Sequence, residues 1–149
     1  MCGLFLLSSG AKAESTKLRF VGNASLPPMV WNHNGRAEGV AVDLTRALAR
    51  KAGLHVEIEA SEWQLAQDEL QEGTIDALLQ INASPQRRAV FDFSTPLLQS
   101  NFHLFHKNND LEISDLKSLE GKKVGVESGG YPIDIIRQND RINVGVTTD

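Results

Sequence analysis

Two short stretches combine residue types that could do chemistry. Ser84-Pro85-Gln86-Arg87 follows an apolar run, with Ser84 placed as a helix N-cap and Pro85 as the first helical residue. The free backbone N–H groups of such a turn seat an anion, and Arg87 adds a planar fork that grips a carboxylate through two bonds. Spacing alone leaves an equal alternative, in which Arg87 and Arg88 are solvated surface charges. The second stretch, Val126-Glu127-Ser128-Gly129-Gly130-Tyr131, again runs from a strand through small residues to a helix start. Such a turn lets a ligand approach the backbone closely, and open α/β sheets bind ligands at the carboxyl ends of their strands. Gly-Gly is also an ordinary turn. GxGxxG and Walker A patterns are missing, so nucleotide binding has no support.

The aromatic and titratable residues narrow the chemistry further. Trp63, Ala66 and Leu70 share one helical stripe, which fits core packing; an aromatic wall over a ligand's apolar part fits as well. Trp31 follows Pro27-Pro28-Met29-Val30, near the end of the first strand. His33, His55, His103 and His106 have no metal-ligand spacing. His103 and His106 fall on an expected strand, on opposite faces, and read as structural. A single cysteine, Cys2, excludes an internal disulfide framework and a Cys-based zinc site. Neither a Ser-His-Asp order nor a paired-carboxylate constellation stands out. The chain is expected to be no enzyme, with no metal and no cofactor.

The elements that must position these residues alternate between strand and helix. Leu18 to Ala24 is a first strand, ending at Ser25-Leu26-Pro27-Pro28. Gly39 to Ala52 is a helix, with Val40, Leu44, Ala47 and Leu48 at the spacing of a buried stripe. Asp43 lies in its first turns, where a carboxylate complements the helix dipole, and Gly53 closes it. His55 to Ala60 alternates as a second strand. Ser61-Glu62-Trp63-Gln64 reads as a capping box, Ser61 at the N-cap, opening a helix that runs to Glu72 and stops at Gly73. Ile75 to Ile81 is a near-continuous apolar run, as in a strand covered on both faces. This β-α-β-α-β order implies a parallel, doubly wound sheet. A second unit follows the polar break 107–110, with a short helix from Ser114 to Leu119 and a strand from Lys122 to Val126. A helix near Pro132 and a strand from Ile142 to Val146 complete it. A lone β-α-β piece cannot bury both faces of its strands, and this unit reads as unfinished.

Composition sets the outer bounds. In 149 residues, 15 Lys and Arg face 19 Asp and Glu, for a net charge of −4, which gives no footprint for nucleic acid. With 41% hydrophobic and 23% charged residues the chain has ordinary globular usage, and its length suffices for one real core. No apolar run reaches the roughly 18–20 residues of a membrane helix. Cys2 to Leu7 is a short apolar run, and Ala11-Lys12-Ala13 has the small-x-small pattern of a signal-peptidase site. Residues 1–13 therefore read as a signal-peptide remnant, with cleavage after Ala13, and Cys2 is misplaced for a lipid anchor. Export to the periplasm is the expectation.

An ordered run of motifs resembles the family 3 extracellular solute-binding proteins. It begins with Pro27-Pro28, Gly35 and Gly39-Val40-Ala41-Val42-Asp43-Leu44, and continues through Trp63 and Leu70-Gln71-Glu72-Gly73-Thr74-Ile75-Asp76. Ser84-Pro85-Gln86-Arg87 and Phe91-Asp92-Phe93-Ser94-Thr95-Pro96 follow, and Leu116 to Gly125 resembles the family's entry into a second lobe. The resemblance implies an α/β chain of the type II periplasmic binding protein fold, two lobes hinged around a cleft. Lobe 1, residues 17–106, would be nearly complete, and residues 107–149 would be the start of a truncated lobe 2. It further implies capture of an amino acid or similar small carboxylate-bearing solute for the membrane subunits of an ABC importer. Carried over by position, Arg87 matches the arginine that holds the ligand's α-carboxylate, and Asn82 and Ser84 match positions that also face it. Trp63, and with it Trp31 or Leu26, match the first-lobe wall. Gly130 falls where many amino-acid binders place a Thr or Ser hydroxyl. The acidic residue that usually recognises the ligand's amino group would lie beyond Asp149.

Other readings within the resemblance stay open. The short spacing from Asp76 to Pro85 and the Phe93-Ser94 pair look more like the sensory versions of this domain, which precede histidine kinase or diguanylate cyclase modules. The fold also resembles an accessory domain of some lytic transglycosylases and the body of cyclohexadienyl dehydratases. The first would need a catalytic domain and the second a cleft acid, and neither is evident in the residues.

Overall fold

The computed structural model describes residues 17–107 and 113–147. The expected signal-peptide remnant, its cleavage site and most of the polar break at 107–110 lie outside them. In chain order the first unit comprises strands β1 (Leu18–Asn23), β2 (Ser25–Leu26), β3 (Val30–His33) and β4 (Arg36–Glu38), then helix α1 (Val40–Ala52). Strand β5 (Val56–Ser61), helix α2 (Trp63–Glu72), strand β6 (Ala77–Leu78) and the single turn α3 (Pro85–Arg88) follow. β1 runs parallel to both β5 and β6, giving the order β5-β1-β6. Alternation along β1 divides the core between the two faces. Phe20 packs with Val30, Val42 and Leu79 on the α1 side, whereas Val21 packs with Trp63, Ala66 and Ile75 on the α2 side. The sheet is thus covered by a helix on each face, as the β-α-β-α-β pattern requires. Both long helices end on left-handed glycines, Gly53 and Gly73, whose N–H groups satisfy the last carbonyls.

Several local expectations need correcting. The N-cap of α2 is Glu62, not Ser61: its carboxylate accepts from Gln64 N at 3.0 Å and Leu65 N at 2.7 Å. Ser61 is held in β5 opposite Asn23, and its carbonyl accepts from Ala24 N, so its backbone cannot turn into the helix. Gln64 does not reach back; it donates to Asp68 at 2.9 Å. The apolar run from Ile75 to Ile81 yields only the two-residue β6. Its ends are held otherwise: the Asp76 carboxylate takes the N–H of Arg19 at 2.7 Å, and Gln80 turns away with a left-handed φ of 62°. His103 and His106 lie on no strand, because among the described residues none runs beside 101–107 to form a ladder with it. β2, β3 and β4 form an antiparallel sheet that the reading above did not include. Its hairpin turn is Asn34-Gly35, both at positive φ, the usual two-residue signal for such a turn.

The second unit comprises strand β7 (Lys123–Glu127), helix α4 (Tyr131–Ile136) and strand β8 (Asn143–Thr147), the two strands pairing in parallel. Leu119, Val126, Ile133, Ile136 and Ile142 form its own core beneath α4. Where a helix was expected from Ser114, only a short 3₁₀ turn at Lys117–Leu119 forms. Ser118 and Asp115 there bond each other's backbone, Ser118 N to Asp115 Oδ1 at 2.8 Å, and such local bonds compete with helix propagation. No helix among the described residues is long and apolar enough to cross a membrane.

Candidate functional site

The carboxyl ends of β1, β6 and β7 face one another across a cleft of ≈ 1390 Å³ between the two units. That is larger than the roughly 300–1,000 Å³ of a typical closed small-molecule pocket, as an open cleft should be. Asn82, Arg87, Trp63, Leu26 and Gly130 all line it. Ser84 lies behind this surface, and Trp31 is not among the lining residues. Trp31 sits instead in β3, paired with Ser25 and Glu38, so that of the three expected wall residues Leu26 and Trp63 line the cleft. Trp63 is buried in the α2-side core and also lines the cleft.

Arg87 is the centre of the arrangement. Ser84 caps α3 as expected, its Oγ accepting from the Arg87 N–H at 3.1 Å, which sets the direction of the arginine side chain. Arg87 is only 8% exposed, against the surface-charge alternative, while Arg88 points outward over the Phe93 ring. The Arg87 guanidinium donates from Nη1 to the Asn82 carbonyl at 2.9 Å and from Nη2 to the Gly129 carbonyl at 2.7 Å. It also lies 5.8 Å from the centroid of the Tyr131 ring. Burial pushes its pKa below the ordinary arginine value, with the more distant Asp134 carboxylate opposing. Among the described residues no carboxylate forms an ion pair with it. A buried cation whose hydrogen bonds go to carbonyl dipoles is costly to keep, and an anion entering the cleft would offset that cost.

Three residues join the units at this point, and the sequence reading assigned a role to none of them. Asn23, at the end of β1, donates to Glu127 Oε1 at 2.8 Å. Gln67 of α2 is buried and donates to the Trp63 carbonyl and, at 3.2 Å, to Gly129 O, the same carbonyl that Arg87 reaches. Tyr131 stacks at a tilt on Phe102, 5.5 Å between centroids. Gln67 had a visible signal, a polar residue four places after Trp63 on the buried face of a helix. Gly129 itself must be glycine here: its φ is +66°, and a Cβ would overlap Gln67 Nε2 and stand 2.6 Å from Gln64 Oε1. Gly130, as expected, opens α4 without a side-chain hydroxyl.

Comparison with known proteins agrees with this geometry. Residues 18–145 match the family described as bacterial extracellular solute-binding proteins, family 3. The arginine-binding extracellular protein ArtP of Bacillus subtilis is 30% identical over 123 residues, covering 82% of this chain and 48% of ArtP. The L-cystine-binding protein TcyJ of Escherichia coli is 32% identical, over 76% of this chain and 44% of TcyJ. The chain thus spans just under half the length of these relatives. Among solved structures, the ancestral amino-acid-binding protein AncCDT-1, a precursor of cyclohexadienyl dehydratase, superposes with a TM-score of 0.77 at 25% identity. That superposition covers 89% of this chain and 62% of AncCDT-1. With its two α/β units, the cleft at their strand ends and this match over residues 18–145, the chain belongs to the family 3 bacterial extracellular solute-binding proteins and has the type II periplasmic binding protein fold.

Proposed function

We propose that the chain is an exported solute-binding domain. It captures a small carboxylate-bearing solute, an amino acid or similar, between a first lobe at 17–106 and a second lobe entered at 107. The periplasm is where it would work, passing its ligand to the membrane subunits of an ABC importer. One observation carries the reading: a buried guanidinium, Arg87, opens onto the cleft with backbone carbonyls as its hydrogen-bond partners and, among the described residues, no ion-paired carboxylate. A ligand carboxylate would take the free edge of that fork as a charge-assisted pair. Asn82 would contribute beside it, Ser84 by holding the turn, and Leu26 and Trp63 by covering the apolar part of the solute. The amino-acid ligands named for ArtP and TcyJ support the same class. Binding and release, with no catalytic step, make up the whole activity.

Titration calorimetry with L-amino acids and their α-amides tests this. The acids should bind and the amides should bind at least about thirtyfold more weakly, since the lost partner of a desolvated charge typically costs ~2–5 kcal/mol. Equal affinity for an acid and its amide would refute the role given to Arg87.

A further inference from the structure

Besides Arg87, the charged residues Lys107, Asp115, Lys122, Lys123 and Glu127 line the cleft, and the carboxylate reading leaves Glu127 unused. Glu127 ends β7, is half-buried and lines the cleft. Its Oε1 accepts from Asn23 Nδ2 at 2.8 Å across the two lobes. Asn23 is buried, and its Oδ1 is occupied by the Ser25 N–H at 2.8 Å, so its amide can only present N–H to Glu127. The carboxylate is thereby fixed in direction by a neutral donor. Its other oxygen has no hydrogen bond, and no lysine or arginine among the described residues pairs with it. Gln80 lines the same cleft, and its Oε1 is buried with no donor. A donor on a bound ligand would satisfy the open oxygen of Glu127.

We propose that Glu127 is a specificity-determining residue that receives a cationic group, ammonium or guanidinium, of the solute whose carboxylate Arg87 holds; the assignment rests on that carboxylate reading. The two charges converge on one turn, because Arg87 bonds the carbonyl of Gly129, two residues after Glu127. Opposite charges fixed on one turn select zwitterionic or cationic solutes and reject dicarboxylates, which would set a second anion against Glu127.

The test is calorimetry on the full chain with three probes: L-arginine, L-citrulline, which lacks the side-chain charge, and 5-guanidinopentanoate, which lacks the α-ammonium. Glu127→Gln keeps an acceptor for Asn23 and removes only the charge. It should weaken arginine binding about ten- to a hundredfold, as loss of one charge-assisted bond does. For the analogue missing the group that Glu127 reads, the loss should fall below about threefold, which identifies that group. An equal loss for all three probes, or none for arginine, would overturn the assignment. Asn23→Ala, which frees the carboxylate without removing its charge, should preserve the discrimination among probes; its disappearance there would also overturn it. If arginine binds no better than its α-amide, the carboxylate reading fails and takes this one with it. If that preference holds but Glu127→Gln changes nothing, Glu127 alone is wrong.

Discussion

Replacing Arg87 separates its structural from its binding role. Arg87→Ala removes the bonds to the Asn82 and Gly129 carbonyls and the free edge of the fork. Each bond to a charged group contributes about 1.5–3 kcal/mol. The desolvation cost of the buried guanidinium disappears with it, so the net loss of stability should be only about 1–3 kcal/mol. Binding should suffer more, because a ligand carboxylate buried against Arg87 would lose its partner. That costs ~2–5 kcal/mol, or roughly thirtyfold to a few thousandfold in Kd. Arg87→Lys keeps the charge but concentrates it at one atom, which cannot serve Asn82, Gly129 and a bidentate ligand together; a loss of about tenfold or more is expected. Arg88 is the internal control, since it is exposed and only crosses the Phe93 ring at 5.1 Å. Arg88→Ala should change affinity less than about threefold. Calorimetry of the three variants against an L-amino acid, with circular dichroism to verify folding, reads the result. Small, equal effects at both positions would return Arg87 to a purely structural cation, and a larger loss at Arg88 would show that the ligand approaches from the other side of α3.

Four further substitutions probe the frame around the site. Gly129→Ala places a side chain at φ +66° and against Gln67, and should destabilise the fold by about 1–2 kcal/mol in thermal unfolding while weakening ligand binding. Glu62→Ala removes both cap bonds of α2 and should cost about 1 kcal/mol, whereas Ser61→Ala should be within roughly 0.5 kcal/mol of neutral; the reverse order in denaturant titrations would restore the earlier cap register. Gln80→Leu removes a buried amide oxygen that has no donor and should stabilise the unliganded chain by about 1 kcal/mol, with a lower melting temperature as the contrary result.

The parts of this protein that were legible in its sequence are those fixed by local chemistry. The extent of α1, the glycines closing α1 and α2, and the Ser84-Pro85 cap each depend on neighbours within a few residues, and each stands where expected. The buried face of α1 does not: Ala41, Val42 and Ala49 face the sheet, while Val40, Ala47 and Leu48 of the expected stripe are exposed and Leu44 is half-buried, because the sheet and β3 decide which side of the helix is covered. Arg87 was legible as a candidate anion seat, but not its burial, which depends on Gly129, 42 residues away. The same distance in sequence hid Gln67 and the Asn23–Glu127 pair, whose partners lie 62 and 104 residues on. At the start of α2 two good caps stood side by side, and the choice fell to Glu62 only because sheet pairing had already claimed Ser61. Strand length failed in the same way: apolarity marked Ile75 to Ile81 as buried, yet ladder bonds need a neighbour, and a carboxylate and a left-handed turn took the ends. Of the residues that join the two units, Asn23, Gln67 and Arg87 are polar groups whose partners arrive from the other unit, and Tyr131 stacks on Phe102. Under the proposed binding role this has a reason, because a contact that forms and breaks with the ligand cannot be secured by local sequence. Its energy would come from pairs such as Arg87 with Gly129 O, which bridge the two units and which a bound carboxylate would share on that reading.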